Sequence, residues 1–340
     1  MHAAALMRVA RLESDARRIS VSRASREGRP AGAIGSDVDH ALAVLRGGGL
    51  VAIPTETVYG LAADAEQADA VRRIFAVKDR PPDHPLIVHV QSLAAARTWT
   101  TQPLPAAAEQ LARACWPGPL TVLVPRGARV IDQVTGGRDT VGLRVPAHPL
   151  TAELLERFGG GLAAPSANRF GRVSPTTAEH VLGDLGDDVD YVLDGGPCPV
   201  GVESTIVDCT VTPPQVRRPG GSPTEDISRL LGESDGLGRV SGGRRAPGML
   251  ESHYAPRCRV VLAESSEAAT ALAAAERIAA REVGVLDPGP EDLVAYAQGL
   301  YRWLREADDA GVAVLVAVLP PPEGLGHAVR DRLQKAAAHR

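Results

Sequence analysis

The sequence predicts an α/β protein built as two units, on three observations. Short apolar runs alternate with longer stretches of helical period along most of the 340 residues. Those runs end in proline, hydroxyl, amide or cationic residues, and in open α/β sheets ligands bind where strands end. A stretch rich in Gly, Ser and Arg, residues 222–247, then separates this region from a second alternation of strands and helices.

The first strand that matters is 50–53, reached through the turn Gly47, Gly48 and Gly49. A helix capped by Ser36, with Asp39 three residues on, leads into it and ends at Arg46. Pro54 breaks the ladder because it has no N–H to give. Thr55, Glu56, Thr57 and Tyr59 then place three hydroxyls and a carboxylate at the strand end, and Gly60 permits a close backbone approach or a positive φ. A helix over 66–78 carries Val71, Ile74 and Phe75 on one stripe, with Lys78 at its end. Residues 79–85 hold three prolines and cannot be helical, which leaves Lys78 and Arg80 on a stiff loop before strand 86–90 and its His89. This pair reads as an anion site or as ordinary cations at a helix C-terminus.

Helix 106–115, a WPGP turn and strand 120–124 follow. Strand 140–145 carries Arg144 among apolar neighbours, which requires a buried carboxylate or an anionic ligand. Helix 150–158 leads to strand 162–164, and Pro165, Ser166, Ala167 and Asn168 lie just beyond it. Ser174 and Thr176 precede a helix starting at Thr177. Residues 194–202 form a Gly/Pro turn, Glu203 and Ser204 open strand 206–210, and Arg217, Arg218 and Gly220 close the region. Each strand end alone is turn chemistry; five together predict a site that binds and orients anions. Beyond the linker, residues 246–256 are denser and include Tyr254. Strands 260–262, 283–286 and 312–319 then alternate with helices 264–281, 290–307 and 325–338, a small Rossmann-like parallel sheet without GxGxxG or a P-loop.

Composition bounds the function. With 44% hydrophobic and 23% charged residues and a net charge of −4, the chain is not one whose main task is gripping a phosphate backbone. No apolar run approaches the roughly 20 residues of a membrane span. Four scattered cysteines without a CxxC pair point to reduced thiols and a cytoplasmic chain, with no metal site. Residues 1–34, rich in Arg, Ser and Ala, read as a disordered extension. Of 37 basic residues only Lys78 and Lys335 are lysine, and Asn168 is the sole asparagine. In a chain that uses arginine almost everywhere, these survivors mark places that need that side chain specifically.

Taken in order, PTETVYGL (54–61), KDRPPDHPLIVHV (78–90), WPGPLT (116–121), TVGLRVPAHP (140–149), APSAN with SPT (164–176), ESTIVD (203–208) and RPGG (218–221) resemble the threonylcarbamoyl-AMP synthase family. The resemblance implies a YrdC-type catalytic domain over 35–221 with an open, twisted, mixed sheet and flanking helices, a linker or lid over 222–256, and a Rossmann-like domain over 257–340. It implies condensation of L-threonine, bicarbonate or CO₂, and ATP to threonylcarbamoyl-adenylate and pyrophosphate, with Mg²⁺ accompanying ATP. A separate transferase would pass the group to the adenosine beside the tRNA anticodon, with at most transient tRNA contact here. The threonine pocket would map to Thr57, His89, Arg144, Ala164 and Ser204. The ATP pocket would map to Arg80, His84, Thr140, Ser166, Asn168, Ser174, Arg218 and, from the lid, Tyr254. Lys78 and Arg80 would stabilise charge on the reacting phosphate. One departure is His84, where the family usually has asparagine. Two other readings stand beside this one: an RNA-binding module without adenylation, which the 3% aromatic content opposes, and a carbamoyl-phosphate-using relative from hydrogenase maturation, which the absence of zinc-finger cysteines opposes.

Overall fold

A computed structural model describes residues 33–101, 103–232, 254–279, 282–289 and 292–338. In chain order the first unit runs β1 (Ala33–Gly35), α1 (Val38–Arg46), β2 (Val51–Ile53), β3 (Gly60–Asp64), α2 (Ala68–Lys78), β4 (Ile87–His89), α3 (Leu93–Ala96), α4 (Ala106–Cys115) and β5 (Leu120–Pro125). It continues with α5 (Asp132–Thr135), β6 (Thr140–Arg144), α6 (Pro149–Phe158), β7 (Leu162–Ala163), α7 (Ala178–Leu185), β8 (Tyr191–Leu193), β9 (Thr205–Asp208), β10 (Gln215–Arg218) and α8 (Thr224–Leu231). The second unit is β11 (Arg259–Ala263), α9 (Ser266–Ile278), β12 (Val283–Leu286), α10 (Leu293–Asp309), β13 (Val314–Val318) and α11 (Gly326–Ala337).

The large sheet is mixed, in the order β1-β8-β2-β3-β7-β4-β6-β5-β9-β10. Its strands are short and buried on both faces, as a sheet covered by helices on each side requires. One face is sealed by α1 and α6, whose Leu42, Leu45, Leu154 and Leu155 meet Val51, Ile53 and Leu193. The other is sealed by α2, α4 and α7 around Val71, Ile74, Leu111 and Val181. The three-stranded sheet is parallel, in the order β11-β13-β12. Its central strand alternates strictly: Val314 and Val316 face α9, whereas Leu315 and Ala317 join a core with Leu300, Leu304 and Leu333. That second core also takes in Val58, Val173 and Val202 of the first unit, so the two units share apolar packing.

Several expectations change. Ala33 and Ile34 belong to β1, paired in parallel with β8, so the expected extension over 1–34 loses its last two residues to the sheet; residues 1–32 lie outside the described residues. Helix α1 is capped by Asp37, whose Oδ1 accepts from His40 N at 3.1 Å, and not by Ser36. Residues 60–64 form a strand antiparallel to β2, where no strand was expected. The linker is partly structured: α8 lies within 222–256, burying Ile227 in the main core beside α4. Residues 233–253 of the expected lid lie outside the described residues. No helix among the described residues is long and apolar enough to cross a membrane.

Candidate active site

The mixed sheet brings strand ends from distant parts of the chain to one cavity of about 570 Å³ of empty space. The turn after β2 is built by Thr55: its Oγ1 donates to Val58 O at 2.6 Å and accepts from Thr57 N at 3.1 Å and Val58 N at 3.2 Å. This hydroxyl-stapled turn presents Thr57 Oγ1, 2.8 Å from Thr55 Oγ1, to the cavity. Tyr59 does not join them, because its hydroxyl donates to Gly196 O at 2.9 Å on the far side. Gly60 has no positive φ; a Cβ there would lie 3.2 Å from Ala164 Cβ, a tight contact that one of the two segments would have to yield to.

Arg144, at the end of β6, has its Nη2 2.7 Å from Glu56 Oε1 and donates from Nε to Gly118 O at 3.1 Å. Glu56 Oε2 accepts from Ala147 N at 3.0 Å. Burial alone would raise the Glu56 carboxyl, but the Arg144 guanidinium and the Ala147 amide outweigh it and hold the group below its ordinary value. Arg144 therefore has the buried carboxylate partner that one reading required, and it also lines the cavity. Beside it, burial and the positive Arg144 push the His89 imidazole down to about 3. His89 is neutral at working pH, and its buried Nδ1 has no hydrogen-bond partner among the described residues.

Nine of the fourteen expected site residues line this cavity: Thr57, Arg80, His89, Arg144, Ala164, Ser166, Ser204, Arg218 and Tyr254. The other five are not among its lining residues. Lys78, expected to face the phosphate, donates its Nζ to the carbonyls of Ser166, at 2.5 Å, and Asn168. Burial and the neighbouring Arg80 push its ammonium well below the ordinary value. Asn168 donates Nδ2 to Arg169 O at 2.8 Å and Arg172 O at 2.9 Å, so it shapes the loop that Lys78 braces. Ser174 Oγ donates to Glu203 Oε1 at 2.6 Å. Thr140 sits at the start of β6, paired with Pro125. His84 packs edge-on against Phe170 at 5.3 Å, and the Arg80 guanidinium lies 5.6 Å from the same ring. Burial lowers Arg80 to about 10, which leaves it charged at neutral pH.

Three contributors were not among the expected site residues. Glu203 was visible only as a polar residue before a strand; Tyr301 and Arg332 come from α10 and α11 and reach across to it. Among the described residues no group of three His, Cys, Asp or Glu side chains could hold a metal. Glu203, the one carboxylate on the cavity wall, already accepts from Ser174, Tyr301 and Arg332. The residues present do not form a Mg²⁺ site of their own.

A family model described as "Telomere recombination" matches residues 43–220, and one described as "Threonylcarbamoyl-AMP synthase, C-terminal domain" matches 223–338. The chain is 41% identical to the threonylcarbamoyl-AMP synthase of Pyrococcus abyssi, over 87% of this chain and 92% of that one. The chain belongs to the threonylcarbamoyl-AMP synthase family. The Bacillus subtilis threonylcarbamoyl-AMP synthase is 38% identical over 89% of this chain and 93% of its own length. The crystal structure of P. abyssi Sua5 complexed with L-threonine superposes with a TM-score of 0.83 at 39% identity, covering 88% of this chain and 94% of that one. Membership in the synthase family accounts for a two-unit chain with an α/β catalytic sheet and a small parallel sheet behind it.

The buried titratable groups give the protein a defined acid sensitivity. The unfolded chain protonates His89 below about 6.5, whereas the folded chain does so only near about 3. Between these values the unfolded state binds more protons, so stability falls as pH drops from 6.5 towards 3. The loss from His89 alone is bounded at about 5 kcal/mol. Glu203, held down to about 2 against 4.5 because Arg332, Arg218 and Ser174 outweigh its burial, adds a second loss as pH falls below 4.5. Urea midpoints at pH 7, 6 and 5 should decline in the wild type and decline less in His89→Gln; parallel slopes would contradict the assignment.

Proposed function

We propose that the cavity joins L-threonine, bicarbonate or CO₂, and ATP into threonylcarbamoyl-adenylate with release of pyrophosphate. The carrying observation is that the five residues assigned to threonine and four of those assigned to ATP, Arg80, Ser166, Arg218 and Tyr254, line one cavity in a chain of the synthase family. Arg144 holds the threonine carboxylate by charge-assisted hydrogen bonds, with Thr57, Ser204 and the neutral His89 completing its polar surroundings. The neutral amine attacks CO₂, forming the N–C bond of a carbamate and releasing a proton. A carbamate oxygen then attacks the α-phosphate of ATP, and pyrophosphate leaves. Arg80 and Arg218 offset the charge that builds on the phosphate oxygens. Lys78 acts through the 166–168 backbone it braces. The carbamate is labile in water, so the reaction needs a site from which water is excluded, and Tyr254 lines one side of it.

Mg²⁺ would come with the nucleotide and not from a site of the described residues, and it would supply charge neutralisation at the phosphates. The product passes to a separate transferase that modifies the tRNA adenosine beside the anticodon, and the chain works in the cytoplasm. Pyrophosphate release from ATP should require both L-threonine and bicarbonate. Release with neither would mark a generic ATPase and remove the threonine assignment; tRNA binding without turnover would favour an RNA-binding module.

A further inference from the structure

Behind one wall of the cavity, the partners of its carboxylate Glu203 include two residues of the second unit, Tyr301 and Arg332. Glu203 is buried, and three donors, Ser174, Tyr301 and Arg332, engage its carboxylate. Oε1 accepts from Ser174 Oγ at 2.6 Å and Tyr301 OH at 3.0 Å; Oε2 accepts from Tyr301 OH at 2.8 Å and Arg332 Nε at 2.8 Å. A carboxylate so engaged is not a general base. Arg332 is fully buried, and its Nη1 also donates to Pro219 O at 3.1 Å and to Asp331 Oδ2 at 2.5 Å. One guanidinium thus ties two segments of the first unit together, and each segment places a cavity residue one position away. Ser204 follows Glu203, and Arg218 precedes Pro219.

The two segments are also locked to each other. Arg218 Nη2 donates to Ser204 O at 2.8 Å, and Gly221 N donates to Glu203 O at 2.9 Å. A Cβ on Gly220 would stand 2.3 Å from Glu203 O, so only glycine permits this docking. Above them Tyr254, in a left-handed conformation with φ 61°, stacks on Tyr301 at 5.8 Å and lies 5.0 Å from the Arg332 guanidinium. The second rare lysine sits here too: Lys335 donates Nζ to Asp331 Oδ2 at 2.9 Å and lies 6.0 Å from the Tyr254 ring. A buried ion pair is a poor source of net stability, because its desolvation offsets its attraction, but it fixes geometry.

We propose that Arg332 and Glu203 form a clamp between the two units that sets the positions of Ser204, Arg218 and Tyr254 for adenylate formation. They are positioning residues and touch no reacting atom. The proposal rests on the proposed function for its activity readout. Full-length wild type, Arg332→Met, Glu203→Gln and the double variant would be compared well below their melting temperatures. Arg332→Met alone strands the carboxylate and should lower both melting temperature and activity, the latter at least 100-fold. The double variant removes both charges and should melt within a few degrees of wild type, yet keep an ATP KM raised at least tenfold. Wild-type KM and kcat in the double variant, or activity that merely tracks melting temperature, would overturn the clamp. If the double variant does not fold, Arg332→Lys keeps the charge but not the fork: a raised ATP KM with near-native melting supports the clamp, and a wild-type KM overturns it. ATP affinity by calorimetry reads the same variants independently. A wild type that binds ATP but releases no pyrophosphate with threonine and bicarbonate would fault the proposed reaction; an affinity unchanged across the variants would fault the clamp.

Discussion

Replacing Arg144 with methionine should raise the KM for L-threonine roughly 100-fold while leaving the KM for ATP within a few-fold. A charge-assisted contact contributes about 1.5–3 kcal/mol, and each 1.4 kcal/mol is about tenfold. Nε and Nη2 of Arg144 are committed to Gly118 O and Glu56, and Nη1 has no partner among the described residues. The same substitution leaves Glu56 buried without its cation, which costs about 3–5 kcal/mol of stability. The combination Glu56→Gln with Arg144→Met should recover most of that stability and none of the threonine affinity. Steady-state kinetics and urea denaturation of the single and double variants separate the two roles. A threonine KM that returns with stability would make Arg144 a structural residue only.

The second large effect falls on Lys78, and the informative variant is the conservative one. Lys78→Arg should lose at least 100-fold in adenylate formation, nearly as much as Lys78→Met. The tetrahedral ammonium converges on the carbonyls of Ser166 and Asn168 in a fully buried place, while Lys78 O accepts from Phe170 N at 2.7 Å. A planar guanidinium is larger and fans its donors outward, so it cannot reproduce both bonds there. Each buried carbonyl left without a donor costs about 1–3 kcal/mol. Ser166, which lines the cavity, would shift with its backbone. Near-normal turnover in Lys78→Arg would show that only positive charge is required at this position.

Residue usage made this corner of the site legible before any coordinates. Lys78 and Asn168, rare survivors in an arginine-rich chain, meet at one loop, and the polar strand ends do converge on one cavity. Which side chain faces that cavity was not legible. Lys78 and Ser174 carry the right chemistry but spend it on neighbours, because burial demands that their polar atoms be satisfied locally. Strand β3 escaped because GLAAD lies between two other strands and shows neither alternation nor β-branched residues. Helix α8 was missed although Ile227, Leu230 and Leu231 pack on the main core at helical spacing, because this one-turn stripe lies inside a stretch rich in Gly, Ser and charge. The Glu203 partners lie 98 and 129 residues away, and no local pattern records such a pairing.

The most direct measurement is a crystal structure of the complex with L-threonine and an ATP analogue whose α,β-bridge cannot be cleaved. The threonine carboxylate should lie on Arg144 beside Thr57, His89 and Ser204. The α-phosphate should lie between Arg80 and Arg218, with its phosphorus within attacking distance of a carbamate on the threonine nitrogen. Threonine bound away from Arg144, or a nucleotide bound outside the wall closed by Tyr254, would contradict a single cavity that carries both halves of the reaction.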